Sequence, residues 1–393
     1  MASESIQFQN RDGLKLAGLI DHAHGVERAT ALFAHCFTCT KNLKAANHIA
    51  AALNAAGVTV MRFDFTGLGA SEGDFSNTTF ASNVDDLIDA AGWLASQGKA
   101  PQILLGHSLG GTAMLQAAPQ IESAVAVATI GSPATPEHVT HLFGDKRVDI
   151  MREGSAEVHL AGRPFTIRRE FIEDLSQHPL ADTVHNLRKA LLILHSPVDA
   201  TVSVDNASQL FSAAMHPKSF VSLDKADHLL SRSEDSQYVG RVLASWAQRY
   251  LPGDSDANSN TGIRATTSGH SFVTPIQVGN HTIISDEPAS VGGTDRGPSP
   301  VELLSASLAA CTSMTLRMYA EHKSLPLDSV AVDIEREQKG RGADLEVTFH
   351  RTITLRGDLT DEQRSRMVEI ADMCPVHRTL HGKVDVVNTL TER

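Results

Sequence analysis

Over the first two-thirds of the chain, short apolar runs alternate with longer stretches in which apolar residues recur every three to four positions. The runs at 30–34, 58–63, 102–105, 125–130 and 190–194 are apolar nearly throughout, which predicts strands buried on both faces. The periodic stretches at 42–56, 79–97 and 111–118 predict helices between them. Strands covered on both sides and separated by helices make a mostly parallel sheet between helical layers, an α/β architecture. Residues 134–189 interrupt this rhythm and are expected to form a short cap.

The pattern changes after residue 252. Residues 253–264, with Gly253, Asp254, Ser255, Asn258, Ser259, Asn260 and Gly262, are polar and turn-forming and predict a linker. It divides the chain into a first domain at 1–252 and a second at 265–393. In the second, Ser299-Pro300-Val301-Glu302 has the form of a helix start: a capping serine, proline at the first helical position and glutamate three residues after the cap. The helix that follows is small or apolar nearly all round and carries Cys311, which predicts burial in a core or an interface. Residues 330–335 and 345–349 alternate as half-buried antiparallel strands, 361–372 forms an amphipathic helix, and 383–387 a last strand. Cys374 precedes Pro375 at another helix start, where a thiolate is stabilised.

Composition narrows the classes of function. The length of 393 residues suits two domains. A net charge of −12 disfavours a nucleic-acid surface, because phosphate contacts need clustered Lys and Arg. The start of the chain lacks the basic and apolar regions of a secretory signal, and no run of apolar residues is long enough to span a bilayer. Four cysteines do not make a disulfide framework, so a cytoplasmic setting is expected.

Candidate chemistry starts at Gly106-His107-Ser108-Leu109-Gly110. This is a G-x-S-x-G pattern with an apolar strand before it and a small-residue helix after it, the setting in which a sharp turn lifts a serine hydroxyl above a sheet. A serine needs a base to remove its proton and an acid to orient that base. In a sheet of this kind both follow the serine in the chain, each after a later strand. Residues 191–199 give a strand, a loop and Asp199; residues 219–228 give a strand, a loop and His228. Asp199 is therefore the expected acid and His228 the expected general base. The rivals are Asp205 for the acid, and His195 or His216 for the base. The oxyanion needs two backbone N–H donors. Leu109 supplies one, and the loop after residue 34 the other, with Phe37 ahead of Cys36. Cys36 and Cys39 have the spacing of a redox or zinc pair, but no second pair follows at zinc-ligand spacing, so two small loop cysteines are expected. No metal or cofactor is expected.

Ala34-His35-Cys36-Phe37, the 62–71 segment RFDFTGLGAS, the serine turn, Asp199 and His228 together resemble the α/β-hydrolase superfamily, nearest its esterase and serine-aminopeptidase branches. The resemblance implies acyl transfer from a small-molecule ester through an acyl-enzyme. Residues 292–304, 311–320 and 374–380 resemble the OsmC and Ohr family. That resemblance implies an α+β fold, an intertwined homodimer, a peroxidatic Cys311 and a resolving Cys374. Two positions depart from the family. Val301 stands where the hydroperoxide-reducing branch has its functional glutamate, with Glu302 one later. The arginine that supports the reactive thiolate has no clear counterpart, Arg296 and Arg264 being candidates. The second domain is thus expected to dimerise the hydrolase and to reduce peroxides, or peroxide reduction is the main activity and the hydrolase fold is accessory.

Overall fold

The structure is a computed structural model and describes residues 3–24, 27–37, 39–160, 163–251, 262–267, 272–279, 281–340 and 344–390. The chain forms two compact units, 1–271 and 272–393. Most of the expected linker at 253–264 lies outside the described residues.

The first unit is built on an eight-stranded sheet. Its strands are β1 (Ser3–Gln9), β2 (Lys15–Asp21), β3 (Ala29–Ala34), β4 (Val58–Phe63), β5 (Ile103–His107), β6 (Ala126–Ile130), β9 (Ala190–His195) and β10 (Lys218–Ser222). Their order is β1-β2-β4-β3-β5-β6-β9-β10. β4 through β10 run parallel, and the β1–β2 hairpin adds two antiparallel strands at one edge. The run at 58–63 becomes β4 as read, and the runs at 30–34, 102–105, 125–130 and 190–194 become strands within two residues of their expected ends.

Alternation sorts each central strand between two cores. Ala31 and Phe33 of β3, Ile103 and Leu105 of β5, and Leu192 and Leu194 of β9 pack against α1 (Lys44–Ala55) and α8 (Ser233–Ala247). Leu32, Leu104, Leu191 and Ile193 face the other way, against α2 (Phe80–Ser96), α3 (Leu109–Ala117) and α7 (Asp205–Ala213). Phe33, Phe63 and Phe80 are fully buried. Side chains of this size contribute about 1.5–3 kcal/mol each on burial.

Between β6 and β9 the chain leaves the sheet. It forms a 3-10 segment (Pro136–Phe143), α4 (Lys146–Glu153), the hairpin β7 (Ser155–Leu160) and β8 (Arg163–Arg168), α5 (Arg169–Leu175) and α6 (Ala181–His185). Phe171 of α5 and Phe143 stack near Phe37, with ring centroids 5.3 and 6.4 Å from it. The excursion is thereby packed onto the loop that follows β3.

A short strand, β11 (Ile263–Ala265), precedes the second unit. That unit contains the hairpin β12 (Thr274–Val278) and β13 (His281–Ser285), then α9 (Pro300–His322), the long antiparallel pair β14 (Leu327–Lys339) and β15 (Glu346–Gly357), α10 (Asp361–Ala371) and α11 (Pro375–His381). Leu316, Ala320, Met367, Ile370 and Ala371 form its small core. The expected strand at 383–387 is not formed: residues 383–390 belong to no helix or strand, with Val386 80% and Val387 88% exposed. Their alternation is real, but among the described residues no neighbouring strand takes their backbone groups.

Candidate active site

Six parallel strands end on one side of the sheet, and the loops leaving them converge there. Such a carboxyl edge is where open α/β sheets collect their functional groups. Ser108 leaves β5 with φ +55° and ψ −131°, a conformation that costs an L residue energy and lifts its side chain clear of the strand. Its N–H donates to the Ile130 carbonyl at 2.8 Å, tying the turn to β6. The glycines are required by close approach. A Cβ on Gly106 would meet the backbone of Gly111, and one on Gly110 would meet the carbonyls of His35 and Ala34. The absence of that Cβ lets α3 start hard against the loop after β3.

Ser108 Oγ lies 2.9 Å from His228 Nε2, and His228 Nδ1 lies 2.8 Å from Asp199 Oδ2. A carboxylate only accepts, so Nδ1 carries the hydrogen and Nε2 faces the serine as acceptor. The other Asp199 oxygen accepts the N–H groups of Thr201 and Val202 at 2.8 and 2.9 Å. Burial pushes the Asp199 carboxyl up, but the His228 hydrogen bond and these two N–H donors outweigh it and hold it below the usual carboxylate range. The rivals fall elsewhere. Asp205 is exposed at the start of α7 and accepts from Ser203, and His216 is exposed before β10. His195 is fully buried and donates from Nε2 to the Val202 carbonyl at 2.8 Å. It therefore braces the segment that holds Asp199.

Two further groups were not singled out by the sequence. His107 Nε2 donates to the backbone carbonyl of His228 at 2.7 Å, and burial, helped by the neighbouring His228, pushes its pKa down to about 4. The neutral imidazole thus pins the backbone of the neighbouring histidine. Gly131 follows β6 at φ +55°, and a Cβ there would stand 3.3 Å from Asp199 Oδ2 and 3.4 Å from His228 Nδ1. The signal for it was a glycine directly after a buried strand.

The loop after β3 runs past Phe37 and is anchored beyond it by Lys41, whose N–H donates to Asp64 at 2.7 Å and whose ammonium pairs with the same carboxylate. Among the described residues no acceptor takes the N–H of Phe37 or of Leu109. The expectation of two separate loop cysteines is corrected: Cys36 and Cys39 are joined in a disulfide. Spacing alone did not distinguish a bonded pair from two packed thiols, because an i, i+3 pair meets only if the loop turns. It does turn: the Cys39 N–H reaches the Cys36 carbonyl at 3.1 Å.

In the second unit, Cys374 caps α11 and its sulfur accepts the His377 N–H at 3.3 Å. Thr312 Oγ1 lies 3.7 Å from the same sulfur, and Cys311 is within hydrogen-bonding reach. Burial raises the Cys374 thiol, but the His377 N–H, Thr312 and Cys311 together bring it below its ordinary value. Arg351 of β15, not expected from the sequence, reaches Thr312 Oγ1 at 3.3 Å and the Ala371 carbonyl at 3.0 Å. Glu302 is engaged in capping: its carboxylate accepts the Ser299 N–H at 2.7 Å.

Among the described residues no cluster of His, Cys, Asp or Glu is arranged to hold a metal ion, and no helix is long and apolar enough to cross a membrane.

Comparison with known proteins agrees with both units. The model of the alpha/beta hydrolase family matches residues 24–274, and that of OsmC-like protein matches 293–388. The esterase domain of a Rhodothermus marinus protein is 48% identical, covering 64% of this chain and 99% of that one, with a TM-score of 0.54. The mitochondrial palmitoyl-protein thioesterase ABHD10 of Mus musculus is 27% identical over 187 residues, which is 46% of this chain and 62% of that protein. Its human counterpart is 26% identical over 198 residues. The chain thus spans under two-thirds of the length of these curated relatives. With the family match extending over more than half of its length, the chain belongs to the alpha/beta hydrolase family and carries an OsmC-like domain behind the hydrolase fold.

Proposed function

We propose that the chain is a serine hydrolase of the carboxylesterase type, cleaving a small-molecule acyl ester through Ser108, His228 and Asp199. The observation that carries this reading is the unbroken hydrogen-bond line from Ser108 Oγ through both ring nitrogens of His228 to Asp199. His228 Nε2 takes the Ser108 proton as Oγ attacks the acyl carbon, and Asp199, held ionised, balances the imidazolium. The oxyanion that forms is met by the N–H groups of Phe37 and Leu109. Removing one such donor elsewhere costs about 100- to 1,000-fold in rate. The proton then passes from His228 to the leaving alkoxide, and water repeats the sequence on the acyl-enzyme. A thioester would follow the same route, as the thioesterase relatives suggest. Ser108→Ala should lower turnover of a short-chain nitrophenyl ester by at least about 1,000-fold; a variant as active as the natural protein would reject the assignment.

For the OsmC-like domain the reading is dimerisation and peroxide reduction. Dimerisation is supported by apolar surface left bare in one chain: Met314 is 65% and Met318 70% exposed on α9, and Val384, Val386, Val387 and Leu390 are all open. Peroxide reduction is supported by the neighbouring thiols Cys311 and Cys374. With a dithiol and an organic hydroperoxide, Cys311→Ser should lose peroxide consumption; consumption at the unaltered rate would remove this second activity. The reading places the protein in the cytoplasm, with no nucleic-acid or membrane partner.

A further inference from the structure

The hydrolytic mechanism makes no use of the Cys36–Cys39 pair, yet the pair straddles the residue that mechanism depends on. Their Cα atoms are 5.2 Å apart and the sulfurs are bonded. Phe37, whose N–H is to meet the oxyanion, lies between them. The other ties of this loop hold its flanks. His35 Nδ1 donates to the Cys36 carbonyl at 2.8 Å, the Cys39 N–H donates to that same carbonyl, and Lys41 is fixed to Asp64. The Phe37 ring is gripped by Phe75, Phe143 and Phe171, but a ring can stay in place while its backbone rotates. Among the described residues, the Cys39 N–H to Cys36 carbonyl bond at 3.1 Å and the disulfide are the ties that span Phe37, and the disulfide is the covalent one. The two sulfurs are not equally reachable: Cys36 is 5% exposed, whereas Cys39 is partly open. Disulfides in reducing compartments are mostly transient or sensing ones.

We propose that Cys36–Cys39 is a reversible thiol–disulfide site that positions the Phe37 N–H, so that its oxidation state sets the rate of acyl transfer at Ser108. This inference rests on the serine-hydrolase reading above. Reduction consumes one dithiol. A thiolate of the reductant attacks Cys39 Sγ, the S–S bond breaks, and Cys36 leaves and is protonated. The second thiol of the reductant then closes its own disulfide and releases Cys39, so two electrons and two protons pass to the protein. Oxidation consumes one alkyl hydroperoxide. The Cys39 thiolate attacks the outer peroxide oxygen, the alcohol leaves with a proton, and Cys36 attacks the resulting sulfenic acid, releasing water and closing the disulfide. Reduction frees the backbone at Phe37, and misplacing one oxyanion donor weakens an interaction made in the transition state rather than with bound substrate.

The test uses the full chain. Aliquots are reduced with dithiothreitol or reoxidised with cumene hydroperoxide and desalted, and 4-nitrophenyl acetate hydrolysis is followed in each. Alkylation and peptide mass mapping score the state of Cys36 and Cys39. The expected result is a reversible fall of about tenfold in kcat on reduction, with KM changed less than about twofold. Cys36→Ser/Cys39→Ser should sit near the reduced rate and lose the response. Equal kcat in two states whose masses show full interconversion would overturn the inference alone. A response that survives in the double variant would assign it to other thiols and overturn it too. A pair that neither reagent converts would do the same. Absence of hydrolysis in every state would instead remove the hydrolase reading and the inference with it.

Discussion

Ser108, His228 and Asp199 lie far apart in sequence and meet because β5, β9 and β10 end on the same edge of the sheet, with β6 between the first two. The residues around them are chosen for what they keep neutral or leave empty. His107 is the clearest case. Burial and His228 depress its pKa from 6.5 to about 4, while the unfolded chain takes up that proton near 6.5. The folded state therefore has its full contribution above 6.5 and loses it as pH falls towards 4, by roughly 3 kcal/mol over that window. His195 and His35 are depressed by burial in the same direction and steepen the same slope. His107→Gln keeps a donor for the His228 carbonyl and cannot titrate. Its melting temperature should fall less than the natural protein's between about pH 7 and pH 5; equal falls would contradict the assignment of this group. At this scale the sequence was informative where chemistry demands a residue type in a set order, as with the serine turn followed by acid and base. It was silent on Gly131 and His107, whose value lies in contacts made only after folding.

The elements that read well from the sequence are those with one environment along their length. β3, β5 and β9 are buried at every position, and each carries a single polar residue (Thr30, His107 and His195) within an otherwise apolar or glycine run. α9 begins where Ser299, Pro300 and Glu302 together form a capping box. The β1–β2 hairpin was missed because its outer strand is mostly exposed and carries little apolar signal. β14 and β15 run much longer than expected, since their alternation continues through charged positions that need not be buried. Segment 383–390 departs from its expected strand. Its alternation of Val384 and Val386 with polar residues is that of a strand, but among the described residues no strand pairs with it. In the dimer proposed above, a second copy would supply the missing edge and cover the bare methionines of α9. Val384→Asp/Val386→Asp should therefore shift the full-length protein from dimer to monomer in sedimentation equilibrium. An unchanged mass would place the dimer contact elsewhere or deny it.

For the whole molecule, patterning set out an α/β unit with a second unit behind it, the resemblance implied an α+β fold for that second unit, and the family matches at 24–274 and 293–388 fall on the two in turn. What patterning could not convey was the joining of Cys36 to Cys39, or which arginine approaches the second pair of thiols, since both depend on how loops and distant strands fold back. The proposed acyl-transfer chemistry stands on Ser108 being a nucleophile primed by His228. A fluorophosphonate reacts irreversibly with such a hydroxyl and leaves a phosphonyl mark that survives proteolysis. Labelling the intact protein and mapping its peptides should find one stoichiometric mark, on Ser108, that disappears in His228→Ala. An unmarked Ser108 in folded protein, or a stoichiometric mark on another residue, would contradict the account.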